Sequence, residues 1–295
     1  MDITLEPGHY VVAVSGGVDS MALLDLLMQQ GGNLLTVAHF DHGMRPDSVL
    51  DRQLVQKAAT RYGLPFVYHR EELGPGASED VARQARYAFL QRVREACGAQ
   101  AIVTAHHQDD VLETAVMNLL RGTGPRGLVA LRSRGAIQRP LLRTPKSDLI
   151  AYAKDQGLPW REDSTNRELH HFRNYIRHRI MPRMNSAKRQ ELLRHIDTIE
   201  KSRAALRIEL TNHLHMHPGI SQLDRQWFVM LSHTVAREVL ATWLRRGKVK
   251  DVSRAMLERL TTAAKTATPG RQIDVDKTHI FQINKQYLAL HDRER

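Results

Sequence analysis

The chain has almost no cysteine: Cys97 is the single thiol in 295 residues. One thiol excludes a disulfide framework, a cysteine-based zinc cluster and a CxxC redox pair. Cys97 lies between Ala96 and Gly98 in a helical stretch and reads as a small helix-end residue. Long apolar runs are also missing, and none approaches the ~20 residues that span a bilayer as a helix. The first residues, Met1-Asp2-Ile3-Thr4-Leu5-Glu6, contain neither a basic n-region nor a cleavage site. No signal peptide is therefore expected, and the cytoplasm is the expected compartment. There is no internal repeat and no low-complexity tract. Acidic residues become scarce toward the end. Residues 1–166 carry 18 Lys+Arg against 19 Asp+Glu, whereas residues 167–295 carry 25 against 13. The first part therefore carries −1 and the second +12 of the net +11. A polyanionic partner accounts for such asymmetry, because lysines and arginines that neutralise phosphates release counterions; a basic surface kept for solubility is the alternative.

What remains is ordinary for a globular protein. At 42% hydrophobic and 25% charged, a chain of this length has material for a real core and for two domains. Strands and helices alternate at first. Tyr10–Val14, Leu34–Phe40, Phe66–His69 and Ala101–Ala105 are short apolar or β-branched runs that predict buried strands. Met21–Met28, Ser48–Tyr62, Ser78–Cys97 and Asp109–Leu120 predict helices between and after them. Ser78 with Glu79 and Asp80 forms an N-terminal helix signal, and Gly63 follows the end of a helix. This rhythm implies an α/β fold with a parallel sheet covered on both faces. From Pro145 the chain turns helical and basic. Asn185–Leu210 predicts a charged connecting helix, and His217-Pro218-Gly219 a turn. After it come helices over Val235–Arg245 and Ser253–Ala264. Strands over Gln272–Asp276, His279–Asn284 and Tyr287–His291 then form a meander. The expected organisation is a catalytic domain over 1–184, a helical connector over 185–216, and a small basic α+β domain over 217–295.

In parallel sheets ligands bind beyond the carboxyl ends of the strands, and the unusual polar residues cluster there. Ser15-Gly16-Gly17-Val18-Asp19-Ser20 follows the first strand and opens a helix. Two glycines let the backbone approach a phosphate, two serines offer hydroxyls, and the helix presents its positive end to the anion. The loop lacks the Gly-Lys-Ser/Thr of a Walker A motif. Its SGGxDS pattern resembles the PP-loop of ATP pyrophosphatases, which split ATP between the α- and β-phosphates. Gly122-Thr123-Gly124-Pro125-Arg126-Gly127 matches G-x-G-x-x-G literally, but it follows a helix and no helix is predicted to start at it, so the dinucleotide reading fails. His39-Phe40-Asp41-His42-Gly43 ends the second strand. Asp41 could hold Mg²⁺ together with phosphate oxygens or act on the nucleotide substrate. Zinc is disfavoured for want of further ligands. His106 to Thr114 opens a helix at another strand end. Asp110 and Glu113, three apart, share a helical face; they suit an ammonium-bearing substrate, or simply the helix dipole.

Together these blocks resemble tRNA(Ile)-lysidine synthetases. The resemblance runs through SGGVDS at 15–20, HFDHGMRPDS at 39–48, EDVARQARYAFL at 79–90 and TAHHQDDVLETAVMNLLRGTGPRGL at 104–128. It continues with RPLL at 139–142, GLPWREDSTN at 157–166 and the segment Arg173-Asn174-Tyr175-Ile176-Arg177. It covers most of 10–184, and the ending at 295 resembles the family's shorter form with one C-terminal domain. It implies a bacterial ligase that uses ATP and Mg²⁺. Such an enzyme adenylates the C2 oxygen of the wobble cytidine in tRNA(Ile) with a CAU anticodon, then lets L-lysine displace AMP. It further implies that Ser15, Gly16, Gly17, Val18, Asp19 and Ser20 bind ATP, and that Asp41, Arg86 and His106 serve the activation step. By the same resemblance Asp110 and Glu113 bind lysine, while Arg173, Arg177 and Arg179 face tRNA. No membrane partner is implied, and the oligomeric state stays open between monomer and homodimer. Two rival readings are a different PP-loop enzyme, such as a tRNA thiolation enzyme or an amide-forming synthetase, and a tRNA-binding protein with a dead nucleotide site. Thiolation often needs cysteine pairs, amide-forming types leave the basic second part unexplained, and the intact loop argues against a dead site.

Overall fold

The computed structural model describes residues 1, 3–43, 47–72, 74, 79–162, 172–215, 222–249 and 252–293. Ser78, Asp163 to Asn166 and the His217-Pro218-Gly219 turn lie outside them, as does the centre of the 39–48 block. The chain divides into two compact units, Met1–Asp197 and Thr198–Arg295.

The first unit is a five-stranded parallel sheet in the order β3-β2-β1-β4-β5. The strands are β1 (His9–Ala13), β2 (Leu34–Asp41), β3 (Phe66–Arg70), β4 (Ala101–Val103) and β5 (Ile137–Gln138). The last is a two-residue edge strand that carries too little pattern to be predicted. Between and after the strands run α1 (Val18–Gln30), α2 (Ser48–Arg61), α3 (Glu79–Ala96), α4 (Gln108–Leu120), the single turn α5 (Pro125–Leu128) and α6 (Lys146–Asp155). The turn α5 corrects one expectation, since a short helix does begin inside the Gly122–Gly127 run. It still follows α4 rather than a strand, so the run remains no dinucleotide loop. Helix α1 starts three residues earlier than apolar periodicity indicates, because Gly17 serves as its N-cap and the loop itself forms the first turn.

Strand alternation distributes the core to both faces. Val12, Val37 and Val103 pack with Leu23, Leu24 and Leu27 of α1 and Leu149 of α6. Val11, Ala38 and Ile102 pack on the other side with Phe89, Leu90 and Val93 of α3. Burying one such leucine contributes about 1.5–3 kcal/mol, so the sheet is the stiff base on which the loops stand. The order reverses at β1, with β2 on one side and β4 on the other, and this is the crevice where doubly wound sheets take ligands. A helical segment closes the unit: α7 (Phe172–Tyr175), a π-helical stretch Ile176–Ile180, a 3₁₀ turn Met181–Arg183, and the start of α8 (Ser186–His215). Ile176 and Met181 pack on Leu112 and Val116 of α4.

The second unit is an antiparallel sheet in the order β6-β9-β8-β7, covered by helices. It comprises β6 (Gln222–Asp224), α9 (Arg225–Met230), α10 (His233–Arg246), α11 (Arg254–Thr266), β7 (Arg271–Asp274), β8 (His279–Ile283) and β9 (Tyr287–Asp292). Ser232 and Ser253 cap α10 and α11, accepting the N–H groups of Val235 and Met256. Strand β7 stops short of the expected Asp276 because that carboxylate accepts the N–H groups of Thr278 and His279 at 2.8 Å each, closing a turn. Phe228, Leu240, Leu260 and Phe281 are fully buried in a separate core.

Candidate functional site

The loop after β1 is held by its own hydroxyls. Ser20 Oγ accepts the Ser15 N–H at 3.1 Å and donates to the Gly17 carbonyl at 2.9 Å. Ser15 Oγ lies 3.2 Å from Ser20 Oγ and accepts the Gly17 N–H at 3.4 Å. Gly16 has φ +93°, a left-handed backbone conformation that favours glycine, and it packs beside Asp51 of α2. Arg161 braces the loop from behind. Its N–H donates to the Gly16 carbonyl at 3.0 Å, while its guanidinium contacts Asp51 and Asp47 at 2.7 Å each. Asp19, in the first turn of α1, leaves Oδ1 buried without a hydrogen-bond partner.

Asp41 ends β2 and is 5% exposed. Its two oxygens accept the Gly43 N–H at 2.9 Å and the Ser48 hydroxyl at 2.8 Å, which shapes the turn into α2. Beside it His39 is buried; its Nδ1 donates to the Val14 carbonyl at 2.8 Å, and burial lowers its pKa.

The end of β4 carries adjacent histidines whose surroundings shift their pKa values in opposite directions. His107 lies 3.5 Å from Asp19 and 3.6 Å from Asp110. Burial works against its charge, but these carboxylates outweigh it and raise its pKa. His106 is depressed to about 3, first by burial and then by Arg139, Arg86 and Arg83, against a pull from Asp110. Arg86 and Tyr87 lie on α3 with Arg83. The guanidiniums of Arg83 and Arg86 lie 4.9 and 5.4 Å from the Tyr87 ring. Arg86 Nε is buried without a hydrogen-bond partner, and burial disfavours its charge. Arg86 is therefore no solvated helix charge, which sequence alone could not decide.

The structure also joins residues that the sequence put in separate groups. Arg173 of α7 reaches Asp110 at 3.0 Å and Glu113 at 3.2 Å. Arg177 grips both Glu113 oxygens, at 2.7 and 2.9 Å. Two arginines expected to face a nucleic acid thus also neutralise the two carboxylates expected to meet an ammonium. Arg179 is exposed. Beside this pairing lies a cavity of about 140 Å³, lined by His107, Asp109, Glu113, Lys146, Arg177, Met181, Pro182 and Arg189. Asp109 accepts the Lys146 N–H at 2.9 Å and lies 3.4 Å from Arg189, while Lys146 Nζ lies 3.8 Å from Asp19. Sequence reasoning missed Asp109, Lys146 and Arg189. Asp109 was visible as part of the HHQDD run, but nothing marks the other two among many basic residues. Among the described residues no group of three or more His, Cys, Asp or Glu side chains forms a metal cage.

A family model described as PP-loop domain matches residues 4–184. A tRNA(Ile)-lysidine synthase of Thermus thermophilus is 44% identical over 189 residues, covering 61% of this chain and 37% of that protein. One from Alkalilimnicola ehrlichii is 36% identical over 265 residues, covering 84% of this chain and 59% of that protein. The chain therefore spans roughly a third to three fifths of these relatives' lengths. A solved structure of the U34-tRNA thiolase NcsA from Methanococcus maripaludis shares the fold, with a TM-score of 0.56 at 16% identity. It covers 67% of this chain and 73% of that one.

Proposed function

The chain belongs to the PP-loop family, and from that premise we propose that it is a tRNA(Ile)-lysidine synthetase. In this reading ATP seats its phosphates on the Ser15–Ser20 loop. The C2 oxygen of the wobble cytidine in tRNA(Ile) bearing a CAU anticodon attacks the α-phosphorus, and pyrophosphate leaves. The ε-amine of L-lysine then attacks C2, the C2–O bond breaks with AMP as leaving group, and the amine proton passes to a nearby base. The product is lysidine. The identities of 36–44% to proteins of that name support this reading. The arrangement of charges at the site supports it as well.

The observation that carries the proposal is the mixed-sign cavity beside the phosphate loop. Its lining combines the carboxylates Asp109 and Glu113 with the cations Lys146, Arg177 and Arg189 and the apolar Met181 and Pro182. A free amino acid with an apolar stem and both charges at its ends is the class of ligand such walls favour. Asp110 and Glu113 face the ammonium in this proposal, with Arg173 and Arg177 holding them ionised and in place. Arg179, exposed, is assigned to tRNA phosphates, and Arg173 and Arg177 border the same path. Arg86 and His106 serve the activated cytidine, and Asp41 shapes the turn beside it.

Magnesium fits the donor set. Mg²⁺ prefers one or two carboxylates plus phosphate oxygens over an all-protein cage, and Asp19 Oδ1 has no protein partner. Asp19 would hold the ion against the phosphates, and Asp41 would join it through the lone pairs that Gly43 and Ser48 leave. Bound there, the ion would neutralise charge on the departing pyrophosphate. Single copies and a homodimer are equally compatible with this site. The decisive experiment measures pyrophosphate release with and without tRNA(Ile) and lysine, together with the mass of the modified nucleoside. Release that needs tRNA, with a nucleoside heavier by lysine minus water, is expected. Release without tRNA, or no mass change, would overturn the proposal.

A further inference from the structure

Arg139 follows β5 at the carboxyl edge of the sheet and is 8% exposed. Among the described residues no carboxylate lies within ion-pair distance of it. Its donors go to neutral acceptors instead: Nε to His106 Nδ1 at 3.4 Å, Nη2 to the Tyr87 hydroxyl at 3.3 Å, and Nη1 to the Arg132 carbonyl. Its own N–H is tied to Ser133 Oγ at 2.9 Å. The Thr104 hydroxyl lies 2.8 Å from the same His106 Nδ1.

We infer that Arg139 is a positioning residue for His106: with Thr104 it holds the imidazole neutral, with its proton on Nε2. The logic is one of donors and acceptors. A guanidinium can only donate, so the nitrogen it addresses must carry a lone pair. Nδ1 is therefore unprotonated, the Thr104 hydroxyl donates to it too, and the single ring proton sits on Nε2. Protonating Nδ1 would set an N–H against an N–H and a cation against a cation. The groups that face this imidazole are Arg83 and Arg86 on α3, Arg139 after β5, and Asp110 on α4; burial first, with the three cations beside it and the carboxylate against it, keeps the ring neutral. A histidine so held donates one hydrogen bond from Nε2 and takes no proton through Nδ1. It is built to stabilise an oxygen that gains negative charge, not to act as the base for the incoming amine. That last consequence rests on the function proposed above; the assignment of the proton does not.

The test uses the full chain labelled with ¹⁵N. Two-bond ¹⁵N–¹H spectra of the imidazoles, with His106 assigned by H106Q, should show His106 as the Nε2–H form from pH 5.5 to 8 without titration. In R139A the ring should populate both tautomers and its pKa should rise, with burial and the two α3 arginines still holding it below the ordinary range. R139Q keeps a donor without the charge, so it should keep the tautomer while the pKa rises as in R139A. In turnover, R139A should lower kcat for pyrophosphate release by ~10²-fold with KM for ATP within ~3-fold, and should move the acid limb of the profile upward. A merely structural arginine would lower all parameters together and leave the limb in place. If R139A does not fold, R139Q and T104V carry the same spectral test. A wild-type ring protonated on Nδ1, or a His106 indifferent to both Arg139 substitutions, would overturn the inference. If pyrophosphate release proves independent of tRNA while the spectra behave as expected, the proposed function falls and the positioning role stands.

Discussion

Ser15 and Asp19 touch the place where phosphates are proposed to sit, and neither touches the basic surface. S15A removes an oxygen that accepts the Gly17 N–H, and D19N removes the charge from the buried, unpartnered Oδ1. Each should lower tRNA-dependent pyrophosphate release by at least ~10²-fold, the usual loss when one preorganised electrostatic contact to a reacting oxyanion is deleted. Binding of tRNA on filters should stay within ~2-fold. Equal loss of both in a folded variant would remove the loop from phosphate handling. Asp110 and Glu113 invite a subtler experiment, because the structure gives them two jobs. D110N and E113Q should raise KM for lysine more than KM for ATP. They should also cost roughly 1–3 kcal/mol of stability, since Arg173 and Arg177 lose charged acceptors. Varying lysine, ATP and Mg²⁺ separately, beside thermal unfolding, divides these effects. Loss of stability with unchanged lysine dependence would leave the carboxylates only the structural role. That double role was not legible in the chain: spacing put both acids on one helical face, but Arg173 lies 60 residues away from Glu113 in sequence. Their pairing depends on how α7 crosses α4.

Among the secondary-structure elements, the phosphate loop is stiffened by a connection that ends far from it. Arg161, in the segment after α6, reaches back to Asp51 on α2 and to the Gly16 carbonyl. R161A should leave the fold intact and raise KM for ATP by ~3–10-fold, with a smaller change in kcat, because the loop is loosened rather than stripped of donors. Equilibrium binding of an ATP analogue checks this, and an unchanged affinity would show that the serine hydroxyls hold the loop unaided. Most strands and helices of the first unit could be read from periodicity, since β-branched runs and apolar spacing are local properties. The two missed strands share one cause. Strand β5 has two residues and β6 three, and such pieces exist only because a neighbouring strand offers them hydrogen bonds. Helix α1 begins ahead of its apolar pattern because the loop that carries Gly17 and Ser20 supplies the first turn.

Taken whole, the chain divides its charge less simply than a two-part sequence count suggests. Residues 167–197 carry 8 Lys+Arg against 3 Asp+Glu, and they belong to the first compact unit. Residues 198–295 carry 17 against 10. Part of the basic excess is therefore spent near the site, where Arg173, Arg177 and Arg189 meet carboxylates, and the rest belongs to the second unit. Because that unit has its own core, a chain ending near His217 should still fold. It should bind ATP as before and bind tRNA more weakly, with a shallower slope of log affinity against log salt, by about 0.9 for each lost contact to a duplex phosphate. An unchanged slope in the folded truncation would assign the second unit another task. The sequence by itself determined the parallel sheet, the Ser15–Ser20 loop after β1 and the set of polar residues at the strand ends, because turn chemistry and hydrophobic period act between neighbours along the chain. Tertiary structure alone decided which charges are partners. Arg139 beside His106, Arg161 beneath Gly16 and Arg177 on Glu113 are separated by 33 to 145 residues in sequence. A guanidinium finds its acceptor only once the sheet has placed both within 4 Å, so its role follows from packing and not from pattern.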